Sequence, residues 1–170
     1  MIEFLNEVAD YLESLTEANR KLLVALKDYQ ELLVTGEPRA IEQATPRLDR
    51  LTGDIRCLDE RRRAYVDDFF NVRGWNGVRN FSAIAERVMA SEVNDEEAAA
   101  FERLKDARTN LIAVLAEVDA QNSLNITLIG QGMSFAEVSL RALLGLEDNP
   151  TTYGPSDGGE DGPSLLDARA

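Results

Sequence analysis

Apolar residues recur along the first half of the chain at alternating spacings of three and four, the period of helices that pack along one seam. The first series is Leu5, Val8, Leu12, Leu15, Asn19, Leu22, Leu26, Tyr29 and Leu33. The second series is Ile41, Ala44, Leu48, Leu51, Ile55, Leu58, Arg62, Tyr65, Phe69 and Val72. We therefore predict helices over about 2–35 and 38–72. Because only a few residues connect them, the two helices must run antiparallel.

Helix-breaking residues lie within the second helix and directly after it. Pro46 should kink this helix or delay its regular start, and Gly53 should weaken it by about 1 kcal/mol relative to Ala. The helix should end at the breaker cluster of residues 74–77. Helical spacing then returns at Phe81, Ile84, Ala85, Val88 and Met89. These residues predict a short helix over about 80–90 that lies across the end of the hairpin, because it has a single apolar face to bury.

A third long helix is predicted over about 94–146. Asn94 and Glu97 have the spacing of a capping box at its start. Its seam is Phe101, Leu104, Arg108, Leu111, Leu115, Val118, Asn122, Asn125 and Ile129. The phase then slips, and the better apolar series becomes Ile126, Ile129, Met133, Ala136, Leu140 and Leu143. Such a slip changes the supercoil locally or turns the apolar face toward another partner.

These patterns define one architecture. Strand-like alternation is absent, so we predict an all-α fold, an elongated antiparallel coiled-coil bundle of three long helices plus one short connecting helix. The helical body should comprise residues 1–146. Gly, Pro and acidic residues crowd the remainder, which predicts a disordered acidic Gly/Pro tail over 147–170.

Polar residues interrupt the first two seams. Asn19 and Arg62 should fix the register of the helices at some cost in stability. Arg62 belongs to a run of three arginines, 61–63, in an acidic protein. We expect this run to be solvated and paired with Glu7, Asp10 or Glu13 across the hairpin.

Asn122 and Asn125 interrupt the third seam. Side chains at i and i+3 share one helix face, and buried amides without partners would cost several kcal/mol. Two interpretations stay open. Either both amides pair with neighbouring helices, or they mark where the closed bundle gives way to a partner-binding groove.

The third helix ends on a face that is too broad for a two-helix seam. Its apolar residues are Ile126, Ile129, Met133, Phe135, Val138, Leu140, Leu143 and Leu144. This face either packs on the hairpin or receives an amphipathic helix of another chain. Gly130 and Gly132 weaken the helix here, so that it could order on binding.

The amino-acid composition excludes several kinds of catalytic and metal site. The chain has no histidine and one cysteine, Cys57, which leaves neither a thiolate zinc site nor a cysteine–histidine nucleophile. We therefore expect no enzyme, metal or cofactor.

A net charge of −13 repels nucleic acid and anionic membranes. No run is long enough for a membrane span, and the acidic start, Met1-Ile2-Glu3-Phe4, lacks the basic region of a signal peptide, so we expect a cytoplasmic protein.

Three stretches carry a resemblance to a known family. They are Leu32 to Glu42 at the first helix junction, Leu51 to Arg62 in the second helix, and Asn122-Ser123-Leu124-Asn125 with Leu128-Ile129 and a closing Tyr153-Gly154-Pro155. In order and spacing, they resemble the FlgN family of flagellar export chaperones. The resemblance covers roughly residues 5–155. The segment 74–93 matches no part of the family pattern.

The resemblance implies a non-enzymatic role. Such a chaperone holds hook–filament junction (hook-associated) proteins unassembled in the cytoplasm and delivers them to the flagellar type III export apparatus. The end of the third helix would bind the C-terminal amphipathic helix of the cargo, and Tyr153 would contact the export gate. The predicted partner-binding residues are Asn122, Asn125, Ile126, Ile129, Met133, Leu140, Leu143 and Tyr153. A structural or dimerising coiled-coil adaptor, or a sequestering regulator without export cargo, is the alternative. The cargo and the oligomeric state stay open.

Overall fold

The computed structural model of the protein describes residues 1–90 and 94–144. These residues form helices α1 (Ile2–Thr35), α2 (Pro38–Val72), α3 (Phe81–Met89) and α4 (Asp95–Leu143), with no strand among them. The all-α prediction is therefore confirmed for the described residues. Residues 145–146 and the predicted tail lie outside them. The chain divides into two units, Met1–Met133 and Ser134–Ala170, and the packing described below is that of the first unit.

A tight turn joins α1 and α2. Gly36 adopts a left-handed conformation with φ of 68°, and its N–H donates to the carbonyl of Leu32 at 3.0 Å. Glycine takes this conformation without steric cost, so it closes the helix cleanly. Pro38 then occupies the first helical position of α2, where its fixed φ is already suitable. With only two residues between the helices, the chain reverses direction.

Contacts at the two ends of the hairpin confirm the antiparallel arrangement of α1 and α2. Near the turn, Arg47 pairs with Asp28 at 3.1 Å. At the far end, the ring of Phe4 stacks on Phe69 with centroids 3.8 Å apart. Pro46 does not delay α2, which runs unbroken from Pro38. The expected delay does not occur, because Pro46 removes one hydrogen bond only, and it does so on an exposed turn where water can reach the freed carbonyl.

The core lies where α1 begins, α2 ends and α3 crosses. Its largest fully buried side chains are those of Phe4, Leu5, Phe70 and Leu104, and Ile84 and Val88 of α3 pack among them. This placement confirms the short connecting helix and its apolar face. Met89 is the exception, with 76% of its surface exposed, because it follows Ile84 by five residues and leaves the face that Ile84 and Val88 share.

Burial falls with distance from this core. The predicted α2 seam has the correct phase, but most of its positions are only half-buried, and Val66 and Phe70 are the buried residues of the helix. All four helices meet only near the core. Farther away, α2 packs mainly on α1, so its seam keeps one open side.

Helix α4 runs parallel to α1, because residues early in α4 contact residues early in α1 and later residues contact later ones. The Arg103 guanidinium pairs with Asp10 at 2.6 Å and Glu13 at 2.8 Å, and much farther along Asn125 reaches Leu26. The side-chain hydrogen bond to Glu13, followed by that to Asp10, raises the pKa of Arg103. The three long helices therefore run up, down and up, each antiparallel to the next in sequence.

Two expectations about seam polar residues were wrong. Arg62 and Arg63 do not pair across the hairpin. Both instead pair with Asp59 of their own helix, at 2.8 and 2.6 Å, because a carboxylate one turn away costs less ordering to reach and because Arg103 holds Asp10 and Glu13. Asn19 is buried, but its amide donates to the carbonyl of Leu15 in the same helix at 2.8 Å. That bond specifies no register between helices.

Candidate partner-binding site on helix α4

The buried face of α4 differs from the predicted seam by one position over much of its length. Its inward series of buried or half-buried positions is Phe101, Leu104, Ala107, Leu111, Val114, Val118, Gln121, Asn125 and Leu128. Arg108, Leu115 and Asn122 of the predicted seam are exposed. From Leu104, the next inward residue can be three or four positions later, and the prediction took the step of four. Ala107 is small and gives only a weak apolar signal, so the spacing alone did not favour it.

Asn125 is the last buried residue along α4 and is 2% exposed. Its side-chain N–H donates to the carbonyl of Leu26 at 2.9 Å. Its amide oxygen accepts from Gln121 at 3.3 Å, and Gln121 also donates to Gln30 at 2.7 Å. Of the two interpretations, pairing with a neighbouring helix therefore holds for Asn125. The amide fastens α4 to α1 and is not accessible to a partner.

Asn122 does not share this face. It is exposed, so the prediction that both asparagines occupy the seam was wrong. Residues at i and i+3 lie about 60° apart around a helix, and the buried stripe passes on the Asn125 side. Gln121, which sequence reasoning missed, takes the inner place because it lies four residues from Asn125. The sequence did contain a signal for this position, because Gln121 and Asn125 are two amide side chains four residues apart.

The two asparagines provide a matched test. We expect Asn125→Ala to lower the free energy of unfolding by about 1–3 kcal/mol, because it removes the buried hydrogen bond to the Leu26 carbonyl and one of the two partners of the Gln121 amide. Asn122→Ala should change it by no more than about 0.5 kcal/mol, since its side chain is exposed. Urea unfolding followed by circular dichroism measures both. Equal effects would contradict the assigned face.

Beyond Asn125, α4 exposes its apolar side chains. In the first unit, Ile126, Ile129 and Met133 are exposed, the last at 69%. In the second unit, the exposed apolar residues of the described part are Phe135, Val138, Leu140, Leu143 and Leu144. No described residue from 126 to 144 is buried. Within the described part of the chain, these apolar side chains are therefore exposed in each unit.

Gly130 and Gly132 lie inside this exposed stretch. A Cβ at either position would meet nothing within 4 Å, so close packing does not require glycine here. A glycine within a helix costs about 0.5–1 kcal/mol relative to alanine. The pair therefore lowers the local stability of the helix without serving its packing.

The described residues were compared with three kinds of site: a reactive thiol, a metal centre and a membrane span. Cys57 is a free and exposed thiol. No group of acidic or cysteine side chains in residues 1–90 and 94–144 is arranged to hold a metal ion. None of the helices in that part combines the length and the hydropathy that crossing a membrane requires. Tyr153, the remaining predicted contact, lies outside the described residues.

Comparison with protein families gives a match over nearly the whole chain. The family model described as FlgN protein matches residues 1–160, which covers the body and most of the remaining chain. No curated protein and no solved structure matches significantly.

Proposed function

Because this chain belongs to the FlgN family, a family of flagellar export chaperones, we propose that it binds hook–filament junction proteins in the cytoplasm. It keeps these hook-associated proteins unassembled and delivers them to the flagellar type III export apparatus. The bound element is the C-terminal amphipathic helix of the cargo, and the end of α4 receives it.

The observation that carries this proposal is the exposure of the apolar end of α4. Ile129, Met133 and Leu140 are 38%, 69% and 57% exposed, and further large apolar side chains accompany them. Contiguous exposed apolar residues on a helix are typical of surfaces that receive another helix. We call the set Ile126, Ile129, Met133, Leu140 and Leu143 the cargo face.

The chemistry of this face suits a cargo that must later be released. Met133 has an unbranched, flexible side chain that can adapt to cargo helices of different sequence. The helix-weakening Gly130 and Gly132 add an ordering cost to binding, which keeps the affinity moderate. Asn125 takes a positioning role in this proposal, because it fixes α4 to α1 immediately before the face begins. Asn122, which is exposed, keeps its place as a proposed contact.

A second copy of this chain is the competing occupant of the same face. Co-expression with a junction protein, followed by size-exclusion chromatography with light scattering, distinguishes the two. We expect a soluble complex that contains the junction protein and that is lost when the C-terminal amphipathic helix of the cargo is deleted. A homodimer that excludes the full-length junction protein would favour the coiled-coil adaptor instead.

Tyr153 allows the delivery step to be separated from cargo binding. We propose that Tyr153 contacts the export gate, so Tyr153→Ala should leave the cargo complex intact and reduce secretion of the junction protein several-fold. The aromatic ring should carry the contact, and Tyr153→Phe is therefore the matched control. Immunoblots of culture medium and cell pellet measure the secreted fraction. Normal secretion by Tyr153→Ala would show that the tail has no such role.

A further inference from the structure

One end of the helical body is basic within a strongly acidic protein. Residues 61–90 contain six arginines and three acids, whereas the whole chain carries −13. This is the segment in which α2 ends and α3 crosses the hairpin. The proposed cargo face lies at the other end of the body, on α4, and gives no reason for this charge.

Two arginines of this segment and one of α4 line a cavity of about 140 Å³. Arg62 comes from α2, Arg79 from the segment before α3, and Arg108 from α4. No acidic side chain lines this cavity. A second, wider hollow of about 340 Å³ shares Arg62 and Arg79 with it and adds Arg63, so the entrance opens to a basic surface. We call Arg62, Arg79 and Arg108 the arginine rim.

The inner wall of the same cavity is apolar and comes from all four helices. It includes Val8 of α1, Val66 of α2, Ile84 of α3 and Leu104 of α4. These residues belong to the buried core and are at most 4% exposed. An apolar cavity of about 150 Å³ can hold a benzene molecule, so this one has room for a side chain of about the size of leucine.

The rim holds more positive charge than its carboxylates neutralise. Arg62 and Arg63 share the single carboxylate of Asp59, and Arg79 pairs with Asp67 at 2.9 Å. Burial opposes ionisation of Asp59, but the two guanidiniums outweigh it and hold the pKa of that carboxyl below its usual value.

Arg108 adds a further positive charge to the arginine rim. Its guanidinium rests on the ring of Phe81, 4.8 Å from the centroid, and it has no carboxylate partner within the described part of the chain. Four guanidiniums around two carboxylates leave an excess of two positive charges at the entrance of an apolar cavity.

We propose that this cavity binds a peptide segment in which a carboxylate lies next to an apolar side chain. The planar guanidinium donates two parallel hydrogen bonds to a carboxylate, which gives direction as well as strength. The apolar side chain enters the cavity, and the carboxylate stays at the arginine rim. The carboxylate can belong to an internal Asp or Glu or to a free C-terminus, since both present the same group.

The charge pattern favours a short acidic peptide over a polyanion. The excess is only two charges, and acids such as Asp10 and Glu13 lie on the neighbouring α1. A nucleic acid or anionic membrane would extend well beyond the rim into this negative field, which acts over roughly 8 Å at physiological salt. A single carboxylate is satisfied locally, and the apolar wall offers nothing to a phosphate backbone.

Nuclear magnetic resonance with the full ¹⁵N-labelled chain tests the proposal. The probe is the peptide acetyl-Gly-Leu-Asp-Leu-Gly-amide, with acetyl-Gly-Gly-Leu-Leu bearing a free C-terminus as the second arm. We expect saturable shifts of the arginine side-chain and α3 amide signals, with a Kd below about 1 mM, for at least one of the two. Whichever peptide binds identifies the source of the carboxylate. If neither peptide saturates, the proposal is overturned.

Three changes to the peptides and two to the protein test the roles of the carboxylate, the apolar side chains and the arginines. Replacing Asp with Asn, or both Leu with Ser, should weaken binding of the first peptide at least ten-fold, and amidating the C-terminus should do so for the second. In the protein, Arg79→Ala and Arg108→Ala should each weaken binding at least five-fold.

Arg47→Ala is the matched control, because Arg47 is also an exposed arginine with one carboxylate partner, Asp28, at the other end of the hairpin. It should leave binding unchanged. If the rim arginines only cover the core with their aliphatic stems, their variants will shift the melting temperature while peptide binding stays at the wild-type value. That result, or a heparin fragment binding with the same dependence on Arg79 and Arg108, would contradict the peptide site.

Discussion

The triple variant Ile129→Asp, Met133→Asp and Leu140→Asp is expected to bind the C-terminal helix of a junction protein at least about a hundred-fold more weakly than the wild-type chain. Fully burying one such side chain is worth about 1.5–3 kcal/mol, and each Asp would in addition carry a charge into the interface. A loss of about 2.7 kcal/mol corresponds to a hundred-fold change in Kd. Isothermal titration calorimetry with the purified cargo helix measures it.

The body should stay folded in this variant, because the three residues are 38–69% exposed and no described residue beyond Asn125 is buried. A double variant, Val24→Asp with Val34→Asp, is the matched control. These valines are also exposed, at 54% and 69%, but they lie on α1. The control should bind cargo normally. Undiminished binding by the triple variant would refute the cargo face, whereas an equal loss in the control would indicate a general effect of added negative charge.

Leu104→Ala should cause the largest loss of stability among simple substitutions in α4. Leu104 is fully buried and packs in the core where all four helices meet. A buried Leu→Ala change costs about 2.7–5 kcal/mol, because it removes apolar contacts and leaves a cavity. For a chain of this size, a loss of about 3–4 kcal/mol lowers the melting temperature by roughly 10 °C. Thermal unfolding followed at 222 nm measures the change.

Leu115→Ala is its matched control. The substitution and the helix are the same, but Leu115 is 44% exposed, so we expect a loss below about 1 kcal/mol. The comparison tests the observed phase of α4 directly, because the predicted seam included both leucines. Similar losses at the two positions would mean that α4 is rotated relative to the described packing.

Local features were predictable from the sequence wherever the determining residues are neighbours. The turn at Gly36 and Pro38 follows from the left-handed conformation of one residue and the fixed φ of the other. The start of α4 is similar, since the side chain of Asn94 accepts the N–H of Glu97 at 2.8 Å. The phase of α1 was also correct along most of its length, because leucine recurs at its inward positions and leaves little choice of face.

The prediction of the buried face of α4 failed because two neighbouring faces of the helix fit the spacing almost equally well. Ala107 and Arg108 are neighbours, and heptad spacing admits either. Ala107 is buried in the core, and the guanidinium of Arg108 rests on the ring of Phe81. The error carried forward to Leu115 and Asn122. Arg62 and Arg63 failed for another reason, since their pairing depends on which carboxylates other helices have already engaged.

The sequence by itself determined the number, type and approximate ends of the helices, the reversal between α1 and α2, and the presence of an apolar helix end interrupted by glycines. These depend on backbone preferences and on the period of the side chains. Only the tertiary structure decided which of Asn122 and Asn125 is buried, and that Arg62, Arg79 and Arg108 converge on one cavity. Burial and electrostatic fields arise between segments that are distant in sequence. They depend on how far each helix is rotated about its axis relative to its neighbours. The spacing of residues along one helix does not specify that rotation.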